Sequence, residues 1–306
     1  MTKGMSVFTL PNPRPLEISV AKKIDKQFAR NVEWRQFTNG EWFLRILKKP
    51  TRAIVLCRTE PPGDHIIQTL TLIDTLKRNG CKNITLVVPY FGYCRQDRVV
   101  RDGDHLPADL FTKLFKTCGA SRIITIDLHS KKTEQHSALP LTTLDCAPFL
   151  VRAVKTELKK NTLFTVVSPD RGSRPRADRI RDLLDTNAPI CWLEKHRDPK
   201  TGKVHAHDLM GVKRGTTALL VDDILDTGGT IKECVLKLKK EGFTTLYLVI
   251  THPVFSADAV QTIRALHFKK IFVTNTIPLS PKTKVLPIAI VDVTQALAET
   301  IKQAAL

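Results

Sequence analysis

The sequence contains no long uncharged apolar stretch, which argues against a membrane-spanning helix. Its first residues, MTKGMSVFTLPNPRPLEIS, lack the basic region and unbroken apolar run of a secretory signal, so a cytoplasmic location is expected. Closely spaced cysteine pairs are also missing. The 7 cysteines, Cys57, Cys81, Cys94, Cys118, Cys146, Cys191 and Cys234, are scattered without a CxxC pair. That spacing speaks against structural zinc or a disulfide framework and predicts buried thiols. Acidic residues are in deficit, 30 against 48 lysines and arginines, for a formal charge of +18. The resulting field favours anionic partners such as nucleotides and sugar phosphates. Nucleic acid would respond to the same field, but no zinc finger or other recognition motif accompanies the charge, so nucleic-acid binding is not expected.

What is present is a chain of 306 residues, 42% hydrophobic, long enough for one large or two ordinary domains. Strand-like runs (FTL, FLRIL, AIVLC, ITLVVPY, RIITIDLH) alternate with helical patterns at 65–78 and 108–117. After Cys146 the alternation restarts. A helix through Lys160, the strand LFTVVSP, a helix at 176–184 and the strands PICWLEK and ALLVDD are followed by a helix from Thr230. The strand TLYLVITHP, a helix at 257–266 and the strand KIFVTNTIP come next. Such alternation predicts an α/β fold of two domains, each with a mainly parallel sheet flanked by helices. The expected division is 1–145, 146–290, and a C-terminal helix at 291–306 that packs back on the first domain.

The segment LLVDDILDTGGT, residues 219–230, ends an apolar strand with acids and leads into a helix. Asp222 and Asp223 leave the strand on opposite faces, so either can hold a magnesium ion, a ribose hydroxyl or a backbone amide. Asp226, Thr227, Gly228, Gly229 and Thr230 form a tight turn whose amides can converge on a phosphate at the next helix's N-terminus. A plain strand, an Asx-type turn and a threonine cap would use the same residues without a ligand.

Other strand ends carry similar constellations. In SPDRGSR, residues 168–174, Gly172 lets the backbone approach an anion, and Asp170 can take a metal or a sugar hydroxyl; a solvated turn is the alternative. In VPYFGYCRQDR, residues 88–98, Tyr90, Phe91 and Tyr93 stand beside Arg95, Gln96, Asp97 and Arg98. Such a mixture can hold a base and its phosphates, or simply pack as a loop with salt bridges. In DLH, Asp127 and His129 lie two residues apart, which on a strand places them on one face, suited to a divalent ion. LEKHRDPKTGKV, residues 193–204, is a charged excursion in which Lys195 and Arg197 can neutralise a transferring phosphoryl group, or sit solvated on a hairpin. In QFTNGEW, residues 36–42, Phe37 can sandwich a base while Asn39 and Glu41 read its edge, though Asn39-Gly40 is also a preferred hairpin turn.

Taken in order, QFTNGEW, VVPYFGYCRQDR, ITIDLH, VVSPDRG, LEKHR, LLVDDILDTGGT and THPVFS resemble the ribose-phosphate diphosphokinases over nearly the whole chain. The resemblance implies two phosphoribosyltransferase-like α/β domains and attack of the C1 hydroxyl of ribose 5-phosphate on the β-phosphorus of Mg-ATP, releasing AMP. It implies that Asp222, Asp223, Asp226, Thr227, Gly228, Gly229 and Thr230 bind ribose 5-phosphate. ATP would be bound by Phe37, Asn39 and Glu41 from a neighbouring subunit, together with Arg95, Gln96 and Arg98. His129 and Asp170 would be associated with Mg2+, and Lys195 and Arg197 would be the catalytic pair. The implied assembly is a homo-oligomer built from dimers.

Three stretches depart from the better-known bacterial pattern. SKKTEQHS follows DLH in place of a QxQGFF-like run, DRGS replaces DxGG, and VVRDGDHLPADLFTK replaces the segment tied to regulation by phosphate and ADP. Phosphate activation, ADP inhibition and a hexamer therefore do not carry over. A phosphoribosyltransferase would use the same VDDILDTGGT turn, but with one catalytic domain. A non-catalytic regulatory subunit would be expected to lose the segment in which Lys195 and Arg197 remain.

Overall fold

A computed structural model describes residues 5–97, 99, 101–158, 162–184, 187–197 and 204–304, excluding the side chains of 195–197 and 204–207. The chain divides into two compact units, Met1–Asp145 with Thr294–Leu306, and Cys146–Val293.

The first unit opens with strand β1 (Met5–Thr9) and helix α1 (Pro15–Ile24). A hairpin of β2 (Val32–Gln36) and β3 (Trp42–Ile46) precedes β4 (Arg52–Leu56), α2 (Asp64–Arg78) and β5 (Asn83–Val88). Helix α3 (Pro107–Cys118), β6 (Arg122–Ile126), the short α4 (Lys131–Gln135) and β7 (Leu141–Leu144) follow. The sheet has the order β1-β4-β5-β6-β7, and every pairing is parallel. Runs such as Ala53–Leu56 and Ile84–Val88 are buried along their length because helices cover a parallel sheet on both faces. Phe8, Leu72, Leu76, Leu86, Phe115 and Ile123 form the centre of this core.

The second unit contains α5 (Ala147–Glu157), β8 (Phe164–Ser168), α6 (Arg174–Leu184), β9 (Ile190–Arg197) and β10 (Val204–Gly211). It continues through β11 (Thr217–Leu225), α7 (Gly229–Lys240), β12 (Thr245–Pro253), α8 (Ala259–Arg264), β13 (Lys270–Thr274) and β14 (Ile288–Val291). The sheet order is β10-β9-β8-β11-β12-β13-β14, with β10 antiparallel on its edge and the remaining pairings parallel. From β8 the chain proceeds outward in one direction, and from β11 in the other. The order therefore reverses between β8 and β11, and in open α/β sheets the crevice beyond the carboxyl ends of such strands is where ligands bind.

The last helix, α9 (Thr294–Ala304), belongs to the first unit and packs on α1. It begins three residues later than the expected return at 291, because Val291 is still paired with Thr274 in the second sheet. Leu297, Ala298 and Ile301 are its buried stripe, spaced for one helical face, and Arg122 Nη1 donates to the carbonyl of Ala304. Helix α1 was not predicted. Its apolar face is short and is interrupted by Glu17, which is buried and accepts from the Arg14 amide at 2.9 Å at the start of the helix.

Among the described residues the cysteines form no disulfide, and all but Cys118 are buried. Burial pushes the thiol of Cys94 up to about 12 and that of Cys191 up to about 11, so these groups are inert protonated packing elements.

Removing the α9 stripe tests its share of the first unit's stability. Leu297→Ala is expected to destabilise the protein by about 2–5 kcal/mol, measured by urea unfolding, through lost transfer energy and the cavity left at a fully buried position.

Candidate functional site

Strand β11 runs through its acids to Leu225, with Asp222 paired to Ile250 and Ile224 to His252 on β12. The expected divergence of Asp222 and Asp223 does not keep their carboxyls apart, since a side-chain hydrogen bond joins them. Asp223 is 5% exposed, whereas Asp222 is partly open. Asp222 Oδ1 accepts from the Ser173 hydroxyl at 2.7 Å and from the Asp223 amide at 2.9 Å. Asp170 lies on the same turn as Ser173, and its Oδ1 accepts from the Ser173 amide at 2.9 Å. The reversal between β8 and β11 thus brings Asp170 and Asp222 to either side of Ser173.

These carboxylates crowd one another. Burial, then the charge of Asp223 and a side-chain hydrogen bond with it, push the Asp222 carboxyl up to about 8; Asp170 adds to the rise and the Ser173 hydroxyl opposes it. A bound cation, or hydroxyls donated by a sugar, would relieve this repulsion. Among the described residues no three His, Cys, Asp or Glu side chains form a metal-binding group. One or two carboxylates completed by phosphate oxygens and water is a donor set that suits magnesium.

Beyond Leu225, Gly228 takes φ +80° and precedes the first turn of α7. That is a left-handed conformation open to glycine, and an added Cβ would also meet Ile263 Cδ1 at 3.2 Å. The first turn of α7 carries no acid and the last turn carries Lys237, Lys239 and Lys240, so the N-terminal end stays electropositive. Gly229 and Thr230 lie in this first turn, and Thr227 is exposed just before it. Asp226 accepts on its carbonyl from the Ser256 amide at 3.2 Å, and on Oδ1 from the Ser256 hydroxyl. Ser256 holds this turn from the segment after β12; the string THPVFS points to its neighbourhood but not to that contact.

The other expected residues are placed less uniformly. His129 belongs to the first unit and Asp170 to the second, so the pair is not assembled inside either unit. The expectation that Asp127 and His129 share a strand face fails. Strand β6 stops at Ile126, Asp127 adopts φ +34° with its amide donating to Leu144 O at 3.1 Å, and it is buried while His129 is exposed. In the loop after β5, Phe91 is 4% exposed and part of the core, so it offers no surface for a base. Tyr93 is exposed and its ring lies 5.3 Å from Phe111; Arg95 and Gln96 are exposed, and Arg98 lies outside the described residues. Gly92 fixes this loop: its amide donates to Thr59 Oγ1 at 2.8 Å, and a Cβ there would meet Glu60 Cα at 2.6 Å.

QFTNGEW forms the tip of the β2–β3 hairpin. The Phe37 amide donates to Glu41 O at 2.8 Å, the Glu41 amide to Asn39 Oδ1 at 3.1 Å, and Gly40 takes φ +92°. The hairpin turn leaves Phe37 45% exposed, with the Arg35 guanidinium 5.0 Å from its ring. On β9, Lys195 and Arg197 occupy strand positions paired with His207 and Val204 of β10, but their side chains lie outside the described set. Neighbouring Glu194 is anchored by Trp192 Nε1 at 3.1 Å, and the Arg174 guanidinium stacks 4.0 Å from the Trp192 ring.

A family model described as the N-terminal domain of ribose phosphate pyrophosphokinase matches residues 5–119, and one described as the phosphoribosyl synthetase-associated domain matches 193–305. The ribose-phosphate pyrophosphokinase of Bacillus caldolyticus is 35% identical over 269 residues, covering 87% of this chain and 84% of that one. That of Bacillus subtilis (strain 168) is 33% identical over 302 residues, covering 98% and 93%. The crystal structure of phosphoribosylpyrophosphate synthetase from Mycobacterium smegmatis superposes with a TM-score of 0.88 at 30% identity, covering 99% of each chain.

The raised Asp222 carboxyl gives a signed pH dependence. Its folded value lies above its unfolded one, so its proton stabilises the native state at low pH, and that stability is lost as pH rises from about 4 through about 8. Asp222→Asn keeps an acceptor for Ser173 and the Asp223 amide without the charge. Its gain in thermal midpoint over wild type, in the absence of ligand, is expected to grow from about pH 5 to about pH 8 and level off above. A gain independent of pH would contradict the raised value.

Proposed function

The chain belongs to the ribose-phosphate pyrophosphokinase family, and on that premise we propose that it transfers the β,γ-diphosphoryl group of ATP to ribose 5-phosphate, giving 5-phosphoribosyl 1-diphosphate and AMP. The C1 hydroxyl oxygen forms a bond to the β-phosphorus. The bond from that phosphorus to the oxygen bridging it to the α-phosphorus breaks, AMP leaves with the electron pair, and the hydroxyl proton passes to solvent. The observation that carries the reading is the paired carboxylates of β11, which stand where the sheet order reverses and lead into a glycine turn at the N-terminus of α7.

In this reading, the 226–230 turn takes the 5-phosphate. The amides at the start of α7 point toward the anion, the threonine hydroxyls add donors, and Ser256 keeps Asp226 in place. Asp222 and Asp223 take the ribose hydroxyls. Phe37, Asn39 and Glu41, supplied to a neighbouring copy in a homo-oligomer built from dimers, grip ATP with Arg95, Gln96 and Arg98. The exposure of the Phe37 ring at a hairpin tip supports that role. Magnesium bound with ATP would supply charge neutralisation to its phosphates, and His129 and Asp170 are the residues that would hold it. Lys195 and Arg197 stabilise negative charge on the moving diphosphoryl group and on departing AMP. Because both reactants are polyanions, holding them together in line accounts for much of the catalytic demand.

The direct test incubates the protein with Mg-ATP and ribose 5-phosphate and follows AMP and 5-phosphoribosyl 1-diphosphate together. Equal yields of the two are expected, and ATP consumption without the phosphoribosyl product would refute the reaction. Lys195→Ala is expected to lower kcat by about 10²–10³-fold with ribose 5-phosphate binding retained, since its contribution arises in the transition state.

A further inference from the structure

Ser173 occupies the reversal point of the second sheet and makes three kinds of bond there. Its carbonyl accepts from the amides of Arg176 and Ala177, each at 3.1 Å, which makes it the N-cap of α6. Its amide donates to Asp170 Oδ1 at 2.9 Å. Its hydroxyl donates at 2.7 Å to Asp222 Oδ1, 49 residues away on the neighbouring strand. A serine that serves simply as a cap offers its oxygen to the amides of its own helix. Here the hydroxyl instead donates to a carboxyl oxygen on the neighbouring strand.

We propose that Ser173 is a positioning residue for ribose 5-phosphate: its hydroxyl, with the Asp223 amide, fixes one oxygen of Asp222 and so sets the orientation in which that carboxyl meets the sugar hydroxyls. The inference rests on the reaction described above. A terminal carboxylate turns easily about its last torsion, and two donors converging on Oδ1 remove that freedom before the ligand arrives. Without the serine hydroxyl, ordering Asp222 falls to the binding event and weakens it. Glycine at 173 would leave the turn's backbone possible but would supply no such donor.

The test separates positioning from capping. Ser173→Gly retains an acceptable N-cap and removes the hydroxyl, whereas Ser173→Thr retains both. With the glycine variant, the KM for ribose 5-phosphate is expected to rise about fivefold to tenfold, the size of one ordinary hydrogen bond. The KM for ATP should stay within about twofold and the thermal midpoint within about 2 °C, with Ser173→Thr recovering the wild-type KM. A ribose 5-phosphate KM within about twofold of wild type, or a parallel rise in both constants with a lowered midpoint, overturns the proposal and leaves Ser173 a helix cap. Calorimetric titration with ribose 5-phosphate separates the two readings. If wild type binds the sugar phosphate but forms no product, the reaction fails while the affinity difference between wild type and Ser173→Gly still decides the inference; if wild type does not bind it, both fail.

Discussion

Electrostatic crowding of carboxylates at the end of two parallel strands sets the arrangement of the second unit. Burying Asp223 beside Asp222 is unfavourable in isolation, and the local structure is organised around managing it. The Asp223 amide and the Ser173 hydroxyl converge on Asp222 Oδ1, while Ser256 takes up Asp226 three residues further on. The N-terminal end of α7 follows directly, bringing partial positive charge next to the acids. A sugar phosphate has the complementary polarity, hydroxyl donors at one end and an anion at the other.

The first unit handles its charges differently. Glu17 is buried, and burial pushes its carboxyl up, while Arg58 at 3.6 Å and the Arg14 amide pull it back. Arg14 also pairs with Glu60 at 2.5 Å, and Arg58 donates to Pro11 O at 2.6 Å. Acids and bases are set against one another here, which joins the start of α1 to the loop after β4. Next to this network, Thr59 receives the Gly92 amide and fixes the loop that presents Tyr93, Arg95 and Gln96. Acid is set against base in the first unit, whereas acid is set beside acid at the end of β11.

Much of the fold was legible because fully buried parallel strands read as uninterrupted apolar runs, as in Ala53–Leu56 and Ala218–Val221. Elements with mixed surfaces were not. Helix α1 hides a buried glutamate in its face, and the short strands β7 and β14 are too partly exposed to stand out. At the site, the turn after β11 was legible from glycine and threonine chemistry. The placement of Asp127 and His129 was not, because a strand's end is set by its pairing: the Asp127 amide bonds Leu144 O, and the chain turns left-handed there. Phe91 likewise has the composition of a ligand-facing aromatic and the position of a core residue.

Sequence by itself determined the α/β alternation, the basic field, the strand–turn–helix at 217–240 and the order of motifs along the chain, since each depends on local periodicity, composition or turn chemistry. Only the tertiary structure decided that the sheet reverses between β8 and β11, that Ser173 bonds an acid 49 residues away, and that Ser256 secures Asp226. Those outcomes depend on which strands become neighbours. Neighbour choice is made by burial and hydrogen bonding across the whole sheet, and no local stretch of residues carries it.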